Sequence, residues 1–494
     1  MLNIFYLYRP FFLDEDKVGI SSFPGGTVPW DRQGRWWYRL AHVCRRWRNL
    51  ILGSASYLRL SLVCTNGTPV ENMLAHSPPL PLTVDYGRND GITAEDEEGI
   101  FLALEQRHRL RHLRLFFPVR NLRKLVMAID GEFPILEYLI IVPPRRDNTA
   151  LMLPEKLQVP HLRHLWLSFF ACPIRSRLHP TATGLVTLNL AIDHSSAYFQ
   201  PNILLQWISF MPQLESLTIR ITFSVPNRDV ERQLTHTPIT IHITLPNLRL
   251  FYFQGISAYL EAVVCRITTP RLESLQVQFF KQLTFTVPRL LQFMNSIENF
   301  RFDIAVIRFK DKKIQMLTIF DGGYTGGVTL TFVVTVDCWH FDWQVSSAVQ
   351  ISNALSQVFS AVEDLTLEHE AHGQSSEEHN DVDRIEWRNL LRSFNNVKTL
   401  LVKDRLVKEL SDCLRLEDGE LPLELLPDLQ ELTYSGSGDA DDAFTSFIDS
   451  RQSVGRPVTL VRHSPSPTPS EPSFESETPT ITSASGVAGN DIDS

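Results

Sequence analysis

A six-residue phrase, apolar at its first, fourth and sixth positions, recurs along this chain and limits what it can fold into. Its clearest copy is Leu162-Arg163-His164-Leu165-Trp166-Leu167, preceded by Pro160-His161. It returns as Leu136-Glu137-Tyr138-Leu139-Ile140-Ile141, Leu185-Val186-Thr187-Leu188-Asn189-Leu190, Leu214-Glu215-Ser216-Leu217-Thr218-Ile219 and Leu272-Glu273-Ser274-Leu275-Gln276-Val277. Shorter or later copies are Leu248-Arg249-Leu250, Val362-Glu363-Asp364-Leu365-Thr366-Leu367, Val397-Lys398-Thr399-Leu400-Leu401-Val402 and Leu429-Gln430-Glu431-Leu432-Thr433-Tyr434. Alternate side chains of an extended segment share a face, so each copy presents an apolar side. A strand this short cannot bury that side alone, whereas copies stacked edge to edge share one core. The pattern predicts an α/β repeat protein.

Taking the first apolar residue of each phrase as a marker gives 110, 136, 162, 185, 214, 248 and 272, with intervals of 26, 26, 23, 29, 34 and 24. Leucine-rich repeats occupy roughly 20–29 residues, so most intervals fit and the longest needs a loop insertion. Helix-like segments such as Ile203–Ile208 and Tyr259–Val264 lie between phrases. The fold expected over residues 61–462 is therefore a leucine-rich-repeat solenoid, or horseshoe, with strands inside and helices outside. Ile297-Glu298-Asn299-Phe300-Arg301-Phe302 reads as a further repeat strand. Residues 305–355 break the pattern: the β-branched runs Gln315–Phe320 and Val328–Val333 flank a glycine-rich turn and suggest a hairpin. Either an inserted hairpin or degenerate repeats would account for this stretch. Beyond it, Arg384–Phe394 reads as a helix with Trp387, Leu390, Leu391 and Phe394 on one face, Ala443–Ile448 as a closing helix and Val458–Val461 as a last strand.

Composition narrows the function. The 494 residues carry a net charge of −9, which argues against a nucleic-acid partner. The basic run Arg107–Arg114 reads as a solvated face. Six scattered cysteines without a C-x-x-C pair predict reduced, buried thiols in a cytoplasmic or nuclear protein. No secretory signal and no run of about 18 apolar residues is present, so no membrane role is expected. Gly322-Gly323 and Gly326-Gly327 lack the lysine of a phosphate loop. His369, His372 and His379, with Glu368, Glu370, Glu377 and Glu378, lack metal-ligand spacing and read as an acidic loop. No catalytic residue, metal or cofactor is expected. From residue 463 to 494 the chain turns to Ser, Thr, Pro, Glu and Asp, a composition too polar to offset ordering entropy, which predicts a disordered tail. Ser464, Ser466, Thr468 and Thr478 each precede proline and are phosphorylation candidates.

At the other end, Trp36–Leu52 reads as one amphipathic helix, following an apolar helix at Met1–Phe12 and a loop insertion at residues 13–35. Leu40-Ala41-His42-Val43-Cys44-Arg45-Arg46-Trp47-Arg48-Asn49-Leu50 resembles the second half of an F-box, with its pattern L-x-x-V-C-[KR]-x-W-[RK]. Met1–Phe5 resembles the end of the first F-box helix, without the Leu-Pro start usual there. With the repeats that follow, the chain resembles fungal F-box proteins with leucine-rich repeats, residues 1–60 forming an incomplete F-box-like subdomain. The resemblance implies a substrate-receptor subunit of a cullin-type ubiquitin ligase. Ile4, Phe5, Leu40, Val43, Trp47 and Leu50 would contact a Skp-type adaptor linked to a cullin scaffold. The repeats would hold a protein substrate, with Arg163, His164, Glu215, Ser216, Glu273, Ser274, Glu363 and Asp364 as candidate readers between the leucines. The alternative is a leucine-rich-repeat interaction scaffold with no ubiquitin role, its Trp47 helix a mere cap.

Overall fold

The computed structural model describes residues 36–86, 92–116, 119–143, 151–171, 177–192, 198–222, 241–280, 285–297, 302–320, 330–370, 383–403, 406–416, 423–435 and 444–463. They form a mixed α/β structure built on one 16-stranded, mostly parallel sheet. Its strands are β1 (Leu62–Cys64), β2 (Leu82–Tyr86), β3 (Leu110–Leu115), β4 (Tyr138–Ile141), β5 (His164–Ser168), β6 (Thr187–Ile192), β7 (Ser216–Ile221), β8 (Leu250–Gly255) and β9 (Ser274–Phe280). The remainder are β10 (Ile304–Lys310), β11 (Lys313–Phe320), β12 (Leu330–Asp337), β13 (Asp364–Glu370), β14 (Thr399–Lys403), β15 (Glu431–Ser435) and β16 (Thr459–His463). Two further pairs, Leu151–Met152 with Phe170–Ala171 and Ile243–Thr244 with Ile267–Thr268, stand apart. No helix among the described residues is long and apolar enough to cross a membrane.

The recurring phrase sets this sheet. Its third residue opens each strand, and its fourth and sixth face the core, as Leu188 and Leu190, Leu217 and Ile219, and Leu400 and Val402 do. The first residue is buried just before the strand, including Leu136, Leu162, Leu185, Leu214 and Val397. The second residue forms a rung: its carbonyl accepts N–H groups from both the second and third residues of the next copy. Glu137 O accepts from Arg163 N (2.9 Å) and His164 N (3.0 Å), and Val186 O from Glu215 N (2.8 Å) and Ser216 N (3.1 Å). Glu363 O likewise accepts from Lys398 N (2.7 Å) and Thr399 N (3.1 Å). The rung satisfies backbone groups at each strand entrance and locks a register that a one-residue slip would invert. One hydrophobic cluster runs from Trp37 to Val458 beneath these strands.

Local chemistry starts the connecting helices. Thr93 caps Ala94–Glu105 in a capping box: its hydroxyl accepts from Asp96 N (3.1 Å) while the Asp96 carboxylate accepts from Thr93 N (3.2 Å). Pro201 and Pro288 open their helices at a position that needs no N–H. Pro288–Asn295 is also capped from its neighbour Ser257–Val264, where Glu261 accepts from Arg289 N (2.8 Å) and Leu290 N (2.7 Å). Burial pushes the Glu261 carboxyl up, and these two N–H donors only partly oppose it.

The irregular stretch is a detour of antiparallel strands. After β9 the chain skips two places, lays down β10, then folds back through β11 to β12, which pairs in parallel with β9. β13 then joins the other side of β10. The runs around the glycines do pair antiparallel, with Ile319 opposite Thr331, although the turn itself lies outside the described residues. Phe309, Phe341 and Trp387 pack under the detour, Phe309 lying 5.2 Å from Phe341 and 5.6 Å from Trp387. Gln344 ties it to the helix Phe341–Ala354, donating to Lys310 O (2.7 Å) and Cys338 O (3.1 Å).

Of the expected strand at 297–302, residues 298–301 lie outside the described residues; the copy of the phrase that carries β10 starts at 302, with Phe302, Ala305 and Ile307 as its buried set and Asp303 O forming the rung with Glu363 N (2.8 Å) and Asp364 N (3.0 Å). Three sequence expectations need correction here. The Arg107–Arg114 run is not a solvated face. Arg107 and Arg109 donate to backbone carbonyls of Asp130 and Leu80, while Arg111 pairs with Glu137 and Arg114 with Asp85, both at 2.8 Å. The thiols are not all buried, since Cys44 is exposed and Cys265 half-buried; Cys172 lies outside the described residues. Finally, the tail's expected first residue, His463, belongs to β16.

Candidate functional site

The candidate residues fall on two surfaces, and the first is at the head of the sheet. Trp36–Leu52 is not one helix but two, α1 (Trp36–Ala41) and α2 (Arg45–Gly53). Cys44 is the reason: it is extended, and its thiol accepts from Trp47 N (3.4 Å), capping α2. Arg48 Nε reaches back to Ala41 O (3.1 Å) across the turn. Trp37 and Ile51 are buried, and Trp37 Nε1 donates to Ser61 O (3.2 Å), fixing the pair beside β1. Of the residues expected to meet an adaptor, Leu40, Trp47 and Leu50 remain half-buried at the core's margin and Val43 is 59% exposed. From Trp36 to Leu60 there are five arginines and no acidic residue. Arg39, Arg45, Arg46, Arg48 and Arg59 are all exposed, which makes this an apolar and basic surface. Ile4 and Phe5 lie outside the described residues, as do Ser464, Ser466, Thr468 and Thr478.

The second surface is the sheet face opposite the core. The third, fifth and seventh residues counted from each phrase start point there, in registered rows across the strands. One row holds Trp166, Asn189, Thr218, Tyr252 and Gln276, and the next holds Ser168, Ala191, Arg220, Gln254 and Gln278. The Arg220 guanidinium lies over the Trp166 ring, 5.6 Å from its centroid, and donates to Asn189 Oδ1 (3.4 Å). Ala191, in register with Arg220, is small enough to let that side chain lean back. Tyr252 donates to Gln278 Oε1 (3.0 Å), and the Gln278 amide donates to both oxygens of Asp337 (3.0 and 3.1 Å). Burial pushes the Asp337 carboxyl up despite those bonds and despite Lys313 nearby. Further along, Glu368 accepts from Arg308 (2.8 Å) and from Lys403, and Lys310 pairs with Glu370 (2.8 Å). Burial works to raise the Glu368 pKa, but those cationic donors outweigh it and hold it below the usual range.

The residues expected to read a substrate line the strand entrances of this sheet. Arg163, Glu215, Glu363 and Asp364 are exposed there, while His164 and Ser216 are half-buried. His164 stacks on Tyr138 at 4.2 Å. Glu273 and Glu363 are engaged by Arg249 and Lys398 of adjacent strands, each at 2.7 Å. Ser274 is not an exposed reader: it is buried and accepts from the Thr331 hydroxyl (2.8 Å). The Trp166, Asn189, Arg220, Tyr252 and Gln278 set was missed by sequence reasoning, although strict strand alternation from the third position reaches the fifth and seventh. Among the described residues no group of three or more His, Cys, Asp or Glu could hold a metal. His369 packs against Phe341 (5.1 Å), while His372, His379, Glu377 and Glu378 lie outside the described residues. No protein-family model matches the chain, and no curated protein matches it in sequence.

Proposed function

We propose that this chain is the substrate-receptor subunit of a cullin-type ubiquitin ligase, its phrases forming a leucine-rich-repeat solenoid and its N-terminal helices an F-box-like plug. The supporting observation is the division of labour in α1 and α2. Trp37 and Ile51 anchor the pair, leaving Val43 and parts of Leu40, Trp47 and Leu50 to a partner. An adaptor surface that is apolar at its centre and acidic at its rim would complement them, with charge setting encounter rate and the apolar contacts affinity. The transfer chemistry would reside in other subunits, and this chain would raise the effective concentration of a bound protein.

The reading is tested by co-purifying the full chain with a Skp-type adaptor. Retention that is lost in Val43→Asp, with helical content unchanged, supports it; no retention refutes it. In that case the repeat scaffold without a ubiquitin role takes its place. The anchoring of Trp37 on Ser61 is the feature that favours a simple end cap.

A further inference from the structure

We propose that Arg220, held between Trp166 and Asn189 on the face opposite the core, is the docking point for an oxyanion carried on an extended segment of a partner protein. The inference rests on the reading of this face as a protein-binding surface, but not on any adaptor.

The first argument is the state of the guanidinium. Its Nε is shielded from solvent and has no hydrogen-bond acceptor, and Nη2 reaches only the neutral Asn189 carbonyl at 3.4 Å. Among the described residues no carboxylate pairs with it. A partly buried cation left so costs free energy, and the Trp166 ring face offsets that cost without neutralising the charge. The arrangement holds a planar fork of donors in place, a geometry suited to carboxylate or phosphate oxygens.

The second argument is the contrast along the same face. On β10, β13 and β14 each cation has its carboxylate: Arg308 with Glu368, Lys310 with Glu370, Lys403 with Glu368. From β5 through β9 and β12, the positions of the three rows hold no Asp or Glu at all, in a chain of net charge −9. Arg220 is the one arginine or lysine among them, flanked by the neutral Thr218 and, in register, Gln254. An acidic residue in those rows would quench Arg220; without one there the charge is left to an incoming group. Asp337, at the end of β12, is itself clasped by Gln278.

The full chain, immobilised, is challenged with three libraries of ten-residue peptides, random except for a central phosphoserine, glutamate or serine. Retention of an anionic library at least tenfold above the serine library is expected. That excess should vanish in Arg220→Gln, fall several-fold in Arg220→Lys, which keeps the charge but loses the fork, and persist in Arg249→Gln at the sheet's rim. Excess for phosphoserine alone identifies a phosphorylated partner, whereas equal excess for glutamate shows that a carboxylate suffices. Equal retention of all three libraries overturns the proposal, as does an excess that survives in the Arg220 variants. Because the adaptor is absent from this assay, a failure of adaptor docking leaves its result intact, and the two failures are told apart.

Discussion

His112 should make the folded chain acid-sensitive in a way one substitution removes. It sits on β3 facing away from the main core, yet it is buried, with Thr83 Oγ1 at 3.1 Å and the Tyr138 ring edge-on at 4.7 Å. Burial, with Arg111 and then His164 adding positive charge nearby, pushes its imidazole down to about 3. An unfolded histidine titrates near 6.5. A depressed pKa means stability that is fully present above about pH 6.5 and is lost as pH falls toward 3, because only the unfolded state takes up the proton. At 1.36 kcal/mol per pH unit the native state should be roughly 2 kcal/mol less stable at pH 5 than at pH 7.5 through this side chain alone. His112→Phe keeps a ring against Tyr138 and cannot titrate. Urea unfolding of both proteins at the two pH values isolates the contribution, since every other titrating group is common to them. Wild type should lose about 2 kcal/mol more than the variant on acidification. Equal losses would show that His112 is not held neutral by its surroundings, and the reasoning would fail.

Other substitutions probe the head, the detour and a helix start. Trp37→Ala should cost about 3–5 kcal/mol, because it empties a buried site and removes the bond to Ser61 O; Val43→Asp should change stability by less than about 0.5 kcal/mol in the same melts. Gln344→Leu withdraws the donor from Lys310 O and Cys338 O and should cost on the order of 2 kcal/mol, read as a lower urea midpoint at unchanged m-value. Glu261→Ala uncaps Pro288–Asn295 and should cost about 1 kcal/mol, with faster amide exchange at Arg289 and Leu290.

The strands were legible because a two-residue period is written into the phrase, so Leu188, Leu217 and Leu400 could be placed without coordinates. The copy at 302 was missed because Ile297 and Phe300 imitate its spacing five residues early, and periodicity alone does not choose between overlapping matches. The break between α1 and α2 was hidden for a related reason: Val43 and Cys44 fit a helical stripe, while the thiol's bond to Trp47 N is a matter of backbone geometry. Of the candidate readers, the positions were legible but the partners were not. Glu273 and Ser274 are satisfied by Arg249 and Thr331, one brought in from the preceding strand and the other by the detour. Trp166, Asn189 and Arg220 come from three different strands, so only the fold brings them together.

The detour also bears on how the chain can assemble. In an uninterrupted array each new strand finds its edge already made by the one before it, and order can spread in the direction of synthesis. Here β9 must wait for β12, whose pairing residues lie 57 positions further on, as from Ser274 to Thr331. Closing that loop costs more entropy than adding an adjacent copy. Meanwhile β10 offers its far edge to β13, so the C-terminal strands can zip up on a hairpin before the N-terminal ones reach them. The molecule is thus expected to fold from two seeds that meet at the β9–β12 seam, where hydrogen exchange would find the last edge to close.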